Sequence, residues 1–491
     1  MDYLDRKKEQ RHRAILLVGY VFVAIAIAMT TVILLYQAYG FGVNRNGTVI
    51  QSGLLYLSSQ PQPAKIYLGS TLRSETTNTR LLLPSNIYNV RLSRTGYYDW
   101  QRRIDLEGGQ VLHFDYPFLF PTKLQTTKQQ TYSAAPGFAS QSPDHRWIVL
   151  QQPSSFTSFE LRDIKAKTPV VTQINLPDGL LSSASSSQSL QALEWADDNQ
   201  HLLLQHTYDG KTEFILLDRA NPDRSVNLNK TLASDPSKIT LNNKKYDQYY
   251  LYQASTAILQ TASLSDTTPK TVLQHVLSYQ SYGNKTILYA TDDAPKGKVL
   301  IKLSQGDKQY TLRSFPAGTT YLQDLTEYNG TLYVVTGAVS ENKVYIYKDP
   351  LGQLSQQPKH ALVPVQVLHV PTPNYVGFSN TAQFIVVENG QQFGVYDIFN
   401  QVGHNYSTKQ ALDAPQVHAT WMDGNRLVYT SGGKLIVFDY DGTNQHILMP
   451  NNANYLAFFA PNYKYVDNLA PTTSNGSVDM TQTSLLTAAD Q

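Results

Sequence analysis

The stretch Ala14–Tyr36 reads AILLVGYVFVAIAIAMTTVILLY, and it constrains the chain more than any other feature. It carries no charge and is interrupted only by Thr30 and Thr31. About 20 apolar residues suffice to cross a bilayer as a helix. A helix buried in a soluble core keeps a polar stripe, and this one has none. A transmembrane helix is therefore expected over residues 14–36, with Ala14, Leu16, Val18, Phe22, Ile25, Ile33 and Tyr36 as anchor residues and the lipid bilayer as partner. Arg6, Lys7, Lys8, Arg11 and Arg13 precede it, whereas Arg45 is the one cationic residue between Gln37 and Lys65. The positive-inside rule then puts residues 1–13 in the cytoplasm as a tail and everything after residue 40 outside. A cleaved signal peptide is the rival reading, because Ala38-Tyr39-Gly40 has the small-x-small form. A signal's apolar core runs only about 7–15 residues, so an uncleaved anchor fits better.

A chain of 491 residues predicts several domains or one large repeat array. Lys and Arg number 40 against 38 Asp and Glu, and removing residues 1–13 leaves 35 of each sign. Nucleic-acid binders carry a basic surplus or stripe, so nucleic acid is not expected as a partner. Cysteine is absent, which excludes disulfides, thiolate metal sites and a cysteine nucleophile.

Residues 37–51 form a polar linker. Over residues 52–120, Leu55 and Leu57, Ile66 and Leu68, Tyr88, Val90 and Leu92, and Tyr98, Trp100, Ile104 and Leu106 recur at every second position, with Arg102 interrupting the last run. Such runs between Pro, Gly and Asn clusters mark half-buried antiparallel strands. Gly108-Gly109 signals a hairpin, and Gly96 a tight turn needing positive φ. Tyr98 and Trp100 fall in register with Ile104 and Leu106, so both are expected in the core. Tyr97, on the opposite face, becomes a candidate contact residue, or else a cross-strand partner on the sheet surface.

The segment SSQPQPAKIYLGS…LLLPSNIYNVRLSRTGYYDWQRRIDL resembles a PEGA domain, a small β-sandwich of bacterial and archaeal surface proteins. Pro61, Ala64, Ile66, Gly69, Pro84, Tyr88, Val90, Gly96 and Tyr97 match its pattern. Pro84-Ser85-Asn86 replaces the namesake Pro-Glu-Gly turn, with Asn able to take the left-handed conformation of Gly. The resemblance implies an envelope module without catalytic residues.

After a second linker, 121–134, a loose unit recurs over residues 135–469. Each copy is a strand, a turn, a strand and a third strand ending near an aspartate, as in Ser140–Ile164, Leu193–Arg219, Tyr375–Phe399 and Ala419–Gly442. Third strands end near Asp163, Asp218, Thr261, Ile301, Asp349, Asp397 and Asp439, giving spacings of 55, 43, 40, 48, 48 and 42 residues. Four-stranded propeller blades recur at about 40–45 residues. The copies resemble WD40-like and TolB-like propellers, whose Ser-Pro-Asp-Gly turn is echoed by Ser142-Pro143-Asp144-His145 and Trp421-Met422-Asp423-Gly424. Tyr455–Leu469 is expected to complete the first blade, and residues 470–491 to form a disordered tail. The fold class expected is thus mainly β: a transmembrane helix, a PEGA-like β-sandwich and a propeller of about seven blades.

Catalytic motifs are missing. No histidine pair has metal-ligand spacing, and neither a nucleophile elbow nor a phosphate-binding loop occurs. No metal, cofactor or catalytic residue is expected. His201 and His206 point to opposite strand faces as satisfied or surface histidines. The acidic pairs Asp197-Asp198 and Asp292-Asp293 are explained by turn chemistry. The repeated strand-end aspartates argue for structure, since a functional acid would be singular. Tyrosine is abundant at 33 residues, densest in Asp247–Tyr252, which makes Tyr249 and Tyr250 further candidates for a contact surface. The expectation is a membrane-anchored, extracytoplasmic binding or scaffolding protein of the bacterial envelope. Its partner would be an envelope polymer or another envelope protein. A propeller-hosted glycan hydrolase or lyase is the alternative, and it would need acids converging on the central opening.

Overall fold

A computed structural model describes residues 6–38, 41–43, 49–356, 362–472 and 476–491. The expected cytoplasmic tail lies partly outside these residues. So do parts of the 37–51 linker and of the Ala38-Tyr39-Gly40 motif. The chain divides into two compact units, residues 1–123 with 488–491, and residues 124–487.

In the first unit, helix α1 spans Arg6–Ala38. Within it residues 8–36 are long and apolar enough to cross a bilayer. No side of this segment is covered by protein: Leu16, Val18, Ile25, Ile33 and Tyr36 are all exposed, and Phe22 is 68% exposed.

The small β domain follows as two four-stranded sheets. One joins Phe41–Val43, Val49–Leu57, Thr79–Pro84 and Val111–Phe114, and the other Thr71–Thr76, Lys65–Leu68, Asn86–Ser93 and Trp100–Leu106. Leu55 and Leu57 with Leu81 and Leu83 fill one inner face, and Ile66, Val90, Leu92, Trp100, Ile104 and Leu106 the other. Alternation in the sequence therefore reads out directly as a sandwich core. Gly108-Gly109 turns the chain but makes no hairpin. The strand after it leaves the sheet of Trp100–Leu106 and pairs in parallel with Val49–Leu57.

The expected facing of Tyr97 and Tyr98 is reversed. Gly96 holds φ at +87° in the turn before the strand, which begins only at Trp100. Period-two logic does not pass through such a turn. Tyr97 is 5% exposed and Tyr98 42% exposed. The Tyr97 hydroxyl donates to Asp490 Oδ2 at 2.7 Å, and Arg94 Nη2 pairs with Asp490 Oδ1. Gly96→Ala is expected to destabilise this domain by about 1–3 kcal/mol, the usual cost of a side chain forced into left-handed backbone. Hydrogen exchange confined to residues 52–119 would read it, and unchanged protection there would contradict the turn's role.

The second unit contains, among the described residues, eight four-stranded antiparallel sheets. Seven are built from consecutive strands within residues 139–175, 188–227, 238–273, 276–316, 321–369, 375–407 and 420–450. The eighth takes Phe458–Phe459, Tyr465–Pro471 and Val478–Ser484 from one part of the chain and Gln125–Tyr132 from another. Side chains between neighbouring sheets make the core. Val149, Phe159 and Leu161 meet Leu202, Leu204, Ile215 and Leu217, and the pattern continues sheet by sheet. Tyr132, Val478 and Met480 of the eighth sheet then pack on Ile148 and Leu150 of the first, which closes a β-propeller.

Closure differs from the sequence expectation in two ways. Tyr455–Leu469 opens a sheet of its own instead of completing the first, so the eighth blade accounts for the difference from about seven. The region expected as a disordered tail supplies that sheet's third strand, Val478–Ser484, whose Val478, Met480 and Thr483 are buried. The consecutive Thr481, Gln482, Thr483 and Ser484 are all buried, and hydrogen bonds satisfy them, as Thr126 does for Thr483 at 2.8 Å. The presumed linker 121–134 likewise contains the fourth strand, Gln125–Tyr132. A buried pair ties this strand to the first sheet. Arg162 Nη1 meets Glu160 Oε1, which also accepts from the Tyr132 hydroxyl at 2.6 Å, while Gln130 Nε2 donates to Glu160 Oε2 at 3.1 Å.

Candidate functional site

The first strands of the fourth, fifth and sixth blades run beside one another, as the innermost strands of a propeller do. Near the beginning of the first strands of the third to sixth blades lies the mouth of a cavity of about 340 Å³ lined by all four. Lys238, Ser278, Tyr279, Tyr321, Gln323 and Tyr375 are among its walls. Lys238, Tyr321 and Tyr375 are the opening residues of their strands, which is why blades far apart in sequence meet here.

The hydrogen bonding of this mouth is largely fixed. Gln323 Nε2 donates to Ser278 Oγ at 2.9 Å. The other amide atom, Gln323 Oε1, is buried and has no hydrogen-bond partner among the described residues, although the side chain lines the cavity and is only 6% exposed. Tyr279 and Thr240 share a hydrogen bond of 3.0 Å, and the Tyr321 hydroxyl donates to the Pro316 carbonyl at 2.7 Å. Tyr375 stacks on His418 with ring centroids 3.9 Å apart and planes 5° apart. His418 Nδ1 donates to the Ala419 carbonyl at 2.8 Å, and burial holds this imidazole below its usual pKa.

Electrostatics follow from burial. Lys238 places its ammonium 5.1 Å from the Tyr279 ring centre, and desolvation lowers its pKa against the opposing effect of Glu194. Next to Gln323, the half-buried Asp324 is pushed up to about 7 by desolvation, although the Leu325 amide donates to it at 2.9 Å. Glu388 is fully buried and pushed up to about 8; one oxygen accepts from the Ala419 amide at 2.8 Å, and Oε2 has no partner among the described residues. Lys238 is thus the one charged side chain among the described residues lining the mouth, and the wall is otherwise amide, hydroxyl and ring. Such a surface recognises a ligand by hydrogen bonds and ring contacts.

The tyrosines singled out from sequence do not form a surface. Tyr249 is 0% exposed and Tyr250 is also buried, because Gln248–Gln253 is the second strand of its blade and is covered by both neighbours. Tyr97 is held in the small domain as described. Strand-end aspartates brace turns: Asp218 accepts from the amides of Ala220 and Asn221, and Asp397 from those of Phe399 and Asn400. Asp198 caps its own turn through the Gln200 amide at 2.8 Å. His206 is buried between Glu213 and Gln188, and His201 pairs with Asp198. Among the described residues no group of three or more His, Cys, Asp or Glu is placed to hold a metal ion. Gln323, Ser278 and Tyr375 were missed. The signal that could have found them is a polar or aromatic residue within the first three positions of the first strands of the fourth, fifth and sixth blades.

Residues 52–119 match the PEGA domain family model. No curated protein matches the chain. Solved structures similar to it include Hsv2 of Kluyveromyces marxianus, at 12% identity over 65% of this chain and 97% of that one with a TM-score of 0.40. The Dos1 propeller is similar at 12% identity over 73% and 93%, with a TM-score of 0.42. An oligogalacturonate lyase from Vibrio parahaemolyticus is similar at 8% identity over 75% and 100%, with a TM-score of 0.39. By its strand pairing and by the family match, the chain carries a PEGA domain followed by a β-propeller.

Proposed function

We propose that this chain is a single-pass membrane protein of the cell envelope whose propeller, outside the cytoplasm, binds an envelope polymer or another envelope protein. The observation that carries the reading is α1, whose apolar side chains are uncovered on every side over a length that matches the hydrocarbon core. Left in water, such a helix would expose far more contiguous apolar surface than a soluble protein tolerates. The basic residues at its start, Lys8, Arg11 and Arg13 among them, favour the orientation with that end in the cytoplasm. A ring with a polar, ring-lined mouth supports binding in preference to catalysis, because no acid is among the described residues that line the mouth.

In cell fractionation the full chain is expected in membranes that have been washed with high salt and alkaline carbonate. Protease added outside the cytoplasmic membrane should digest it. A chain lacking residues 1–37 should move to the soluble fraction. Recovery of the intact chain in the cytosol, or protection of the propeller from external protease, would overturn the reading.

A further inference from the structure

The geometry points to the outer face of the small domain's first sheet as a surface that docks on the lipid headgroup layer beside α1. This deepens the membrane anchoring proposed above and rests on it. An antiparallel sheet with one face in water alternates apolar inward and polar outward. In one row of this sheet the alternation fails. Leu54 lies opposite Leu82 on one side and Val111 on the other, and all three point away from the core that Leu55, Leu81 and Leu83 fill. Leu82 is 69% exposed and Val111 49% exposed. Within Leu81-Leu82-Leu83 the middle leucine thus faces outward, where alternation calls for a polar residue. Apolar side chains on both faces mark a sheet that is covered on both sides. Among the described residues nothing covers the outer one.

Position along the strand indicates what the cover is. The Phe41 ring packs on that of Tyr36, the last residue of the apolar span, with centroids 5.0 Å apart. Phe41 pairs with Gln51, and Leu54 follows Gln51 by three residues, about 10 Å of strand. The uncovered row is therefore tethered close to the level at which α1 leaves the hydrocarbon. The next row outward is Tyr56 between Arg80 and His113, with the Tyr56 and His113 rings stacked 4.5 Å apart. A groove of about 540 Å³ opens there, and Arg80 and His113 both reach it as exposed side chains. Ser58, Asn78 and Asp115 line its far side. Apolar, then aromatic and basic, then polar and acidic is the order of side chains met on leaving a bilayer. Aliphatic groups enter the boundary between acyl chains and headgroups, and aromatic rings sit at headgroup level. An arginine stem lies along apolar surface while its guanidinium reaches the phosphate oxygens.

The test uses the full chain in vesicles of phosphatidylethanolamine and phosphatidylglycerol. The parent contains no cysteine, so Phe22→Cys, Leu82→Cys, Arg103→Cys and Val111→Cys each carry a nitroxide label at one site. Phe22 lies in the apolar span, and Arg103 is exposed on the outer face of the other sheet. Power saturation reads the ratio of relaxation by oxygen, which concentrates in lipid, to relaxation by a water-soluble nickel chelate. At positions 82 and 111 that ratio should exceed the value at position 103 by about threefold or more, as for side chains sunk to the depth of interfacial helices. A label that lowers the melting midpoint is set aside, and the other then carries the comparison. Ratios at 82 and 111 equal to that at 103, with a lipid value at position 22, would overturn the docking and leave the anchor standing. A water value at position 22 would overturn the anchor and the docking with it.

Discussion

Chains ending at Pro471 are expected to lose cooperative unfolding of the propeller altogether. The strand Val478–Ser484 pairs on one side with Tyr465–Pro471 and on the other with Gln125–Tyr132, so its removal unpairs both neighbours at once. Val478 and Met480 leave a gap against Ile148, Leu150 and Leu469. Tyr132 and Gln130 lose the strand that holds them over Glu160 and Arg162, which opens a buried ion pair to water. Breaking a buried charged network is among the costliest single changes a core can suffer. Near-ultraviolet circular dichroism during heating, with dye binding to exposed apolar surface, would read the loss. A chain lacking only residues 488–491 is the control. It should keep the propeller transition and loosen the small domain, where Asp490 holds Arg94 and Tyr97. A Pro471-terminated chain that melts within a few degrees of the parent would refute the closure described above.

Glu388→Gln is expected to stabilise the propeller at alkaline pH and to leave it nearly unchanged in mild acid. Burial carries this carboxyl from its ordinary value of 4.5 up to about 8. The folded state therefore keeps a proton that the unfolded chain releases between those values. Stability from this group is full below about pH 4.5, falls as pH rises, and is gone above about pH 8. At ~1.4 kcal/mol per pH unit crossed, the loss is on the order of 5 kcal/mol by pH 9. Asp324 and Asp467, both pushed up to about 7, act in the same direction. Glutamine cannot ionise and keeps a carbonyl to accept from the Ala419 amide, so the variant should flatten the curve. Urea midpoints measured from pH 5 to pH 9 would show it. A parent protein that grows more stable over that range, or a variant no better at pH 9, would count against the burial assigned to Glu388.

The architecture was legible where one local rule governs many residues. The apolar run needs no partner to be recognised, and in the small domain alternation places Leu55, Leu57, Val90, Leu92, Ile104 and Leu106 correctly. Blade spacing survives in the strand-end aspartates because each of those with a turn to brace has the same local task. Errors arose where a turn or a distant strand decides. Tyr97 and Tyr98 lie on the far side of the Gly96 turn from the strand used to set their facing. Tyr249 and Tyr250 looked like surface because sequence does not reveal that a second strand in a blade is covered on both faces. Thr/Ser/Gln composition after Ala470 suggested disorder, yet a strand flanked on both edges can bury such residues once their hydrogen bonds are met. The candidate site was the least visible part. Lys238, Ser278, Gln323 and Tyr375 come from four blades, and no motif links them along the chain.

The pairing of Thr126 with Thr483, 357 residues apart, also sets a timetable. A nascent chain grows at roughly 5–20 residues per second, so Gln125–Tyr132 must wait on the order of 20–70 s for its neighbour to leave the ribosome. Late in that interval, once residues 139–450 are out, the seven earlier blades stand in an arc with two raw margins. Anything that stalls translation late in the message would prolong this vulnerable state, and holding factors that shield such margins would matter most for this protein then.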